Sequence, residues 1–331
     1  MAIKTVGAVA ALLMGATGLA ACGDSADGSE GGGDDGKIVM GFAQVGAESG
    51  WRTANTESIK ESAEEAGIEL KFSDAQGKQE NQITAIRSYI QQKVDIIAFS
   101  PVVETGWDAV LQEAKAAGIP VILTDRAVDS EDTSLYETFL GSDFVKEGQD
   151  AGQWLVDNAA EADVDGDGDV NVVQLEGTTG AAPAIDRGEG FAEAIAADPS
   201  IEVTASQTGD FTRDGGKQVM ESFLNSEEGI DVVFAHNDDM GLGAIEAIEA
   251  AGLEPGKDIK IITVDAVHDG MQALADGKIN FIVECNPLLG PQLMDLAQQV
   301  LDGEDIPERV VTEETTFTQE QAIEALPDRK Y

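Results

Sequence analysis

From Lys37 onward the chain repeats one unit: a short apolar run, a polar turn, an amphipathic helical stretch and a glycine-closed joint. Apolar runs at 38–45, 68–73, 94–100, 119–124, 170–176, 201–206, 230–236, 259–264 and 279–284 have the length and β-branched content of strands. Between them, apolar residues return at helical spacing, as in Trp107, Val110, Leu111, Ala114 and Ala117. The joints Ala66-Gly67-Ile68, Ala117-Gly118-Ile119 and Ala251-Gly252-Leu253 each close a helix with a residue that accepts the left-handed cap. Strands alternating with helices must lie parallel, with helices covering both sheet faces, so the fold class is α/β. The acidic break Glu161 to Asp169 separates two such blocks of comparable size, predicting two doubly wound parallel-sheet lobes.

A length of 331 residues suits two domains. With 20 basic against 63 acidic residues the net charge is −43, a surface that repels nucleic acid. No Walker phosphate loop, GxGxxG turn or helix-turn-helix precedes the first strand. Residues 1–21 read as a signal peptide: Lys4, then the apolar run Val6 to Leu19. The run ends in Leu19-Ala20-Ala21-Cys22, which resembles a lipobox and makes Cys22 the expected lipid-bearing residue. Residues 22–36 then form a flexible acidic tether, so the chain is expected outside the cell, anchored to the outer face of the membrane through the Cys22 lipid alone. Cys285 is the only other cysteine, which rules out a disulfide framework.

The residues that follow the strands share one chemistry. Trp51 and Arg52 follow the first, Ser100 the third and Asp125-Arg126 the fourth; Arg187, Phe211, Asn237, Asp265 and Glu284 follow strands of the second block. Carboxylates, guanidinia and an amide, with aromatics among them, match a polyhydroxyl ligand. Each hydroxyl both donates and accepts, and the apolar face of a sugar ring packs on an indole or phenyl. Such charges are expected to pair with one another in a dry cleft. Trp107 and Trp154 lie on helix faces and are expected in the core.

Ile119 to Arg126 (IPVILTDR), Asp186 to Phe191 (DRGEGF), Ala235 to Met240 (AHNDDM) and Val264-Asp265 resemble the ribose- and galactose-binding class of ABC-importer sugar-binding proteins. Gln44 to Arg52 (QVGAESGWR), Lys78 to Gln82, Pro101 to Trp107 and Gly209 to Arg213 are similar to its galactofuranose-binding members. Two positions depart from the ribose binders: Arg52 stands where they carry a second aromatic, and Ser100 where they often carry Asn. The resemblance runs from Lys37 to about Val311 and implies the type I periplasmic binding protein fold. Lobe 1 would be 37–142 plus 285–312 and lobe 2 143–284 plus 313–331, joined by three hinge strands near Ser142, Cys285 and Thr312. It implies sugar-binding roles for Trp51, Arg52, Ser100, Asp125, Arg126, Arg187, Phe211, Asn237, Asp265 and Glu284, and no catalytic cofactor. The expected function is monomeric capture of a monosaccharide, galactofuranose first and another pentose or hexose as the alternative, for an ABC permease. An exported hydrolase using Asp125 with Glu284 is the enzymatic alternative, though no nucleophile elbow is present. A repressor-type sensor would need a DNA-binding headpiece where the lipobox stands. A sugar receptor feeding a sensor kinase has the same sequence requirements as the importer component.

One further motif stands apart. Asp163, Asp165, Asp167, Asp169 and Asn171 place oxygens at alternate positions with Gly168 at the sixth, the pattern that wraps a calcium ion. The twelfth position is Gln174, where an EF-hand has Glu. The resemblance to galactose-binding proteins implies that Asp231 completes the set, with Asp169 acting through its carbonyl, as a structural Ca2+ site.

Overall fold

The computed structural model describes residues 37–331; the expected signal peptide, Cys22 and the tether lie outside the described residues. The first block runs β1 (Val39–Gln44), α1 (Gly50–Glu65), β2 (Glu69–Asp74), α2 (Gln79–Gln92), β3 (Ile96–Phe99), α3 (Asp108–Ala116), β4 (Val121–Thr124) and β5 (Thr138–Gly141). The second runs α4 (Phe144–Asp157), α5 (Ala159–Ala162), β6 (Val170–Glu176), α6 (Ala182–Ile195), β7 (Ile201–Thr208), α7 (Arg213–Ser226), β8 (Val232–Ala235), α8 (Asp238–Ala250), β9 (Lys260–Asp265), α9 (His268–Ala275) and β10 (Phe281–Glu284). The chain finishes with α10 (Gly290–Asp302), β11 (Arg309–Val311), β12 (Thr316–Phe317) and α11 (Gln319–Ala325).

These elements form two six-stranded sheets, ordered β11-β5-β4-β3-β1-β2 and β12-β10-β9-β8-β6-β7. The first sheet is parallel throughout. The second is parallel except for β12, which pairs antiparallel with β10 at its edge. Strands β3, β4 and β8 are buried along their whole length, as parallel strands covered on both faces must be. Trp107 is buried against Phe99, with ring centroids 4.9 Å apart, as its helix-face position predicts. Trp154 is only partly buried and stacks on Phe281.

In each sheet the strand order reverses once, between β1 and β3 and between β6 and β8, and a crevice opens beyond the strand C-termini at such a point. The chain passes from one sheet to the other three times: after β5, after β10 and after β11. The lobes touch one another directly: Glu104 N donates to Gly180 O at 2.9 Å, and Gly50 N donates to the Asp239 side chain, Oδ2, at 2.7 Å.

Helix α6, which carries Arg187, packs against α4 at backbone distance because both helices present glycine at the crossing. A Cβ on Gly190 would stand 2.1 Å from Val145 O, and one on Gly148 2.2 Å from Arg187 O. Gly190→Ala should therefore force the helices apart and cost about 1–3 kcal/mol, the usual penalty of overpacking. The urea midpoint reads it; an unchanged midpoint would mean that the helices separate without loss.

Candidate functional site

The two crevices face each other across a small pocket lined from both lobes. Glu48, Ser49, Trp51 and Arg52 enter from the β1–α1 turn, and Asp125 and Arg126 from the end of β4. The other lobe contributes Pro183 and Arg187 of α6, Phe211 before α7, Asn237 after β8 and Asp265 at the end of β9; Cys285 sits at a crossing.

Local sequence explains each placement. Ser49 caps α1 by accepting from Arg52 N at 3.1 Å, which fixes Trp51 and Arg52 on the first helical turn. The Trp51 indole donates to Cys285 O at 2.7 Å, and its ring packs among apolar residues of the second lobe. Asn237 caps α8 by accepting from Met240 N and donates to Phe211 O at 3.1 Å, so part of its amide is already committed. Three lining residues hold left-handed backbone without being glycine: Asp125 (φ 64°), Phe211 (φ 60°) and Asp265 (φ 122°). Strain of about 1–3 kcal/mol at each is characteristic of side chains that must point where regular geometry would not send them.

The charges pair as a dry cleft demands, with one exception. Arg52 lies between Glu48 (Nε–Oε1 3.0 Å) and Asp125 (Nη1–Oδ2 2.7 Å). Arg126 reaches the same two carboxylates at 3.7 and 3.8 Å, donates to Val102 O and faces the Phe211 ring. Arg187 pairs with Glu147 at 2.6 Å and donates to His236 O. Three buried polar atoms on the cavity wall have no hydrogen-bond partner among the described residues: Glu48 Oε2, Arg126 Nε and Asp265 Oδ2. Burial opposes the charge on Arg52, but Asp125 and Glu48 outweigh it and hold the guanidinium above its ordinary range. Burial and the neighbouring Arg52 charge bring Arg126 down to about 10.

Of the ten expected sugar-site residues, eight line the cavity and two do not. Ser100 stands behind the wall, donating to Asp125 Oδ2 at 2.8 Å, and does not line the cavity. Glu284 is a correction: it points away, its Oε1 accepting from Arg329 Nη1 at 2.7 Å and Tyr331 Oη at 2.9 Å, its Oε2 from Thr315 N. The C-terminal segment consumes that carboxylate, so the Asp125–Glu284 pair on which a hydrolase reading rested is not formed in the cavity. Glu48, Ser49, Pro183 and Cys285 line the site without having been singled out as ligand residues. Glu48 had a readable signal, an acid four residues before Arg52 at a strand end.

Residues 40–305 match the family model described as the periplasmic binding protein domain. The chain belongs to this family. It is 49% identical to the galactofuranose-binding protein YtfQ of Escherichia coli K12 over 298 residues, 88% of this chain and 92% of that protein. Among solved structures, a Mycobacterium smegmatis protein in complex with β-D-fucofuranose is 70% identical, with TM-score 0.86 over 89% of this chain and 95% of that one. The periplasmic binding protein component of the arabinose ABC transporter from Shewanella sp. ANA-3, bound to α- and β-L-arabinofuranose, is 48% identical, with TM-score 0.84 over 88% and 96%.

The site makes this periplasmic binding protein pH-sensitive in a definite direction. Burial pushes the Asp265 carboxyl well above its usual range against the pull of Arg187, and lifts Asp238, just behind it, to about 7. Groups whose folded values are raised stabilise the fold below the ordinary carboxylate range near 4 and lose that contribution as pH climbs toward neutrality. Glu48 has the opposite sign: burial would raise it, but Arg52 and Arg126 hold it below its ordinary value, so its contribution is lost in acid. The melting temperature should therefore rise from about pH 8 to about pH 5.5 and fall again below about pH 4. Asp265→Asn should reduce the first gain, separating it from relief of surface repulsion; a parent gain left intact by that substitution would assign the effect elsewhere.

Proposed function

We propose that this periplasmic binding protein captures a monosaccharide in its furanose form outside the cell, galactofuranose being the leading sugar, and presents it to an ABC permease. One observation carries the reading: the cavity wall holds an unpaired donor, Arg126 Nε, beside unpaired acceptors, Glu48 Oε2 and Asp265 Oδ2. Leaving buried polar atoms unmet costs about 1–3 kcal/mol each, and a ring of hydroxyls meets both kinds at once. The furanose form is supported by relatives at 70% and 48% identity whose structures hold fucofuranose and arabinofuranose. Specificity follows from the same atoms, since a sugar lacking one hydroxyl leaves a buried group unanswered.

In this reading Trp51 and Phe211 pack on the ring, while Arg52, Asp125, Arg126, Arg187, Asn237 and Asp265 read the hydroxyls. Ser100 acts through Asp125. The lobes, divided at 142, 285 and 312, swing about the three crossings, and no bond of the sugar is made or broken. Anchoring through Cys22 is part of the proposal, supported by the Leu19-Ala20-Ala21-Cys22 pattern.

Calorimetry tests the sugar site. Trp51→Ala should weaken galactofuranose binding by about 2–4 kcal/mol, as loss of a central aromatic anchor does. Arg126→Lys should weaken it too, because an ammonium cannot reproduce the planar fork. Parent-like affinity in both variants would remove the sugar from this cavity.

We also propose that calcium occupies the 163–171 loop, on a smaller ligand set than the sequence pattern implies. Carboxylate oxygens of Asp163, Asp165 and Asp231 lie within 4.8 Å of one another, whereas Asp167 and Asp169 do not join that cluster. Asp231 accepts from Val164 N and Asn171 N, Asp163 from Gly166 N and Gly168 N, and Asp165 from Asp167 N, so backbone amides already aim the three carboxylates. Lone pairs remain on each for a hard cation. Calcium should raise the melting temperature and a chelator lower it without abolishing sugar binding; superimposable melts, unchanged by Asp165→Ala, would overturn the site.

A further inference from the structure

Each of the three crossings between the lobes donates to a single oxygen atom. Glu314 lies between β11 and β12, and its Oε1 accepts from Ser142 Oγ at 2.5 Å, from Asn286 N at 2.9 Å and from Thr312 Oγ1 at 2.9 Å. Ser142 belongs to the first crossing, Asn286 to the second and Thr312 to the third. We propose that Glu314 is a positioning residue, a staple across the hinge that favours the closed arrangement and so sets how slowly the captured sugar is released. The proposal rests on the sugar-binding reading above.

The geometry supports it in two ways. Rotation of the lobes must turn backbone torsions in these segments, and donors on the first two crossings, Ser142 and Asn286, cannot both follow an acceptor carried by the third through such a turn. The acceptor is a carboxylate, and a charged acceptor makes hydrogen bonds strong. The staple also reaches the sugar site. Ligand atoms of Glu314, Cys285 and Glu147 lie within 4.8 Å of one another, and Ser142 Oγ stands 3.4 Å from Cys285 Sγ. Cys285 lines the cavity and accepts the Trp51 indole bond. Glu147 holds Arg187, also a lining residue, while its other oxygen, Oε1, is buried without a partner. Charged or ionisable groups around the staple are therefore Glu147, Cys285, Arg187 and, beyond the thiol, Asp265; Arg309 donates to Ser142 O from the first sheet. Arg187 is the cation that offsets both carboxylates, and it is the group a sugar would touch. Sugar contact and hinge geometry are thus joined through one ion pair.

The experiment measures galactofuranose dissociation by stopped-flow fluorescence and lobe closure by small-angle scattering, for the parent, Glu314→Ala and Glu314→Gln. Glu314→Ala should release sugar roughly tenfold faster, the factor of one lost charge-assisted hydrogen bond, with association little changed. Glu314→Gln keeps an oxygen acceptor and should fall between the two. A role confined to folding stability would lower the melting temperature and leave the dissociation rate untouched, and that result overturns the proposal, as does parent-like release in both variants. Should Glu314→Ala fail to fold, Glu314→Gln and Ser142→Ala, which removes a donor on another crossing, carry the same comparison. If galactofuranose does not contract the parent protein at all, the sugar reading fails, and that failure is distinct from failure of the staple.

Discussion

Guanidinium groups taken out of water must be met by carboxylates at hydrogen-bond distance, and that demand organises the cleft. Arg52 and Arg126 are both buried, and they share Glu48 and Asp125. Removing one member of such a set would strand the others, at a cost of about 3–5 kcal/mol. Asp125 is consequently held in left-handed backbone, with Ser100 bonded behind it to fix its rotamer. Four charges from two segments therefore behave as one rigid wall. What the net leaves unpaired, an acceptor on Glu48 and a donor on Arg126, is what the wall offers to a ligand.

The second lobe solves the same problem differently. Arg187 is answered by Glu147 on α4, one turn past the first crossing, and by a backbone carbonyl. Among the described residues Asp265 has no cation within hydrogen-bond reach, and burial raises it instead. One wall is thus pre-paired and rigid; the other keeps a carboxyl able to carry a proton and donate to a hydroxyl. The asymmetry suits a ligand whose groups both give and accept.

Much of this was legible in the residues. Short, mostly apolar runs declared the central strands, because a parallel strand covered on both faces has no polar alternation to confuse it. Thr138–Gly141, Arg309–Val311 and Thr316–Phe317 were not legible as strands: they are short, and neighbours across the sheet, not their own pattern, hold them extended. The site residues announced themselves by position, since a charged or aromatic residue directly after a buried strand has few places to point. Glu284 met that criterion and misled, because nothing local reveals that Arg329 and Tyr331 return to claim its carboxylate. Cys285 and the Glu314 oxygen escaped for the same reason: their significance lies in three segments far apart in sequence.

One contact between the lobes has a kinetic meaning. The first amide of α1, at Gly50, donates to Asp239 of the opposite lobe, so a helix end in one half is capped by a side chain of the other. That cap exists only while the halves touch, and each parting returns the amide to solvent. Its hydrogen–deuterium exchange is therefore a clock for the breathing of the molecule, intrinsic to the chain and needing no attached label.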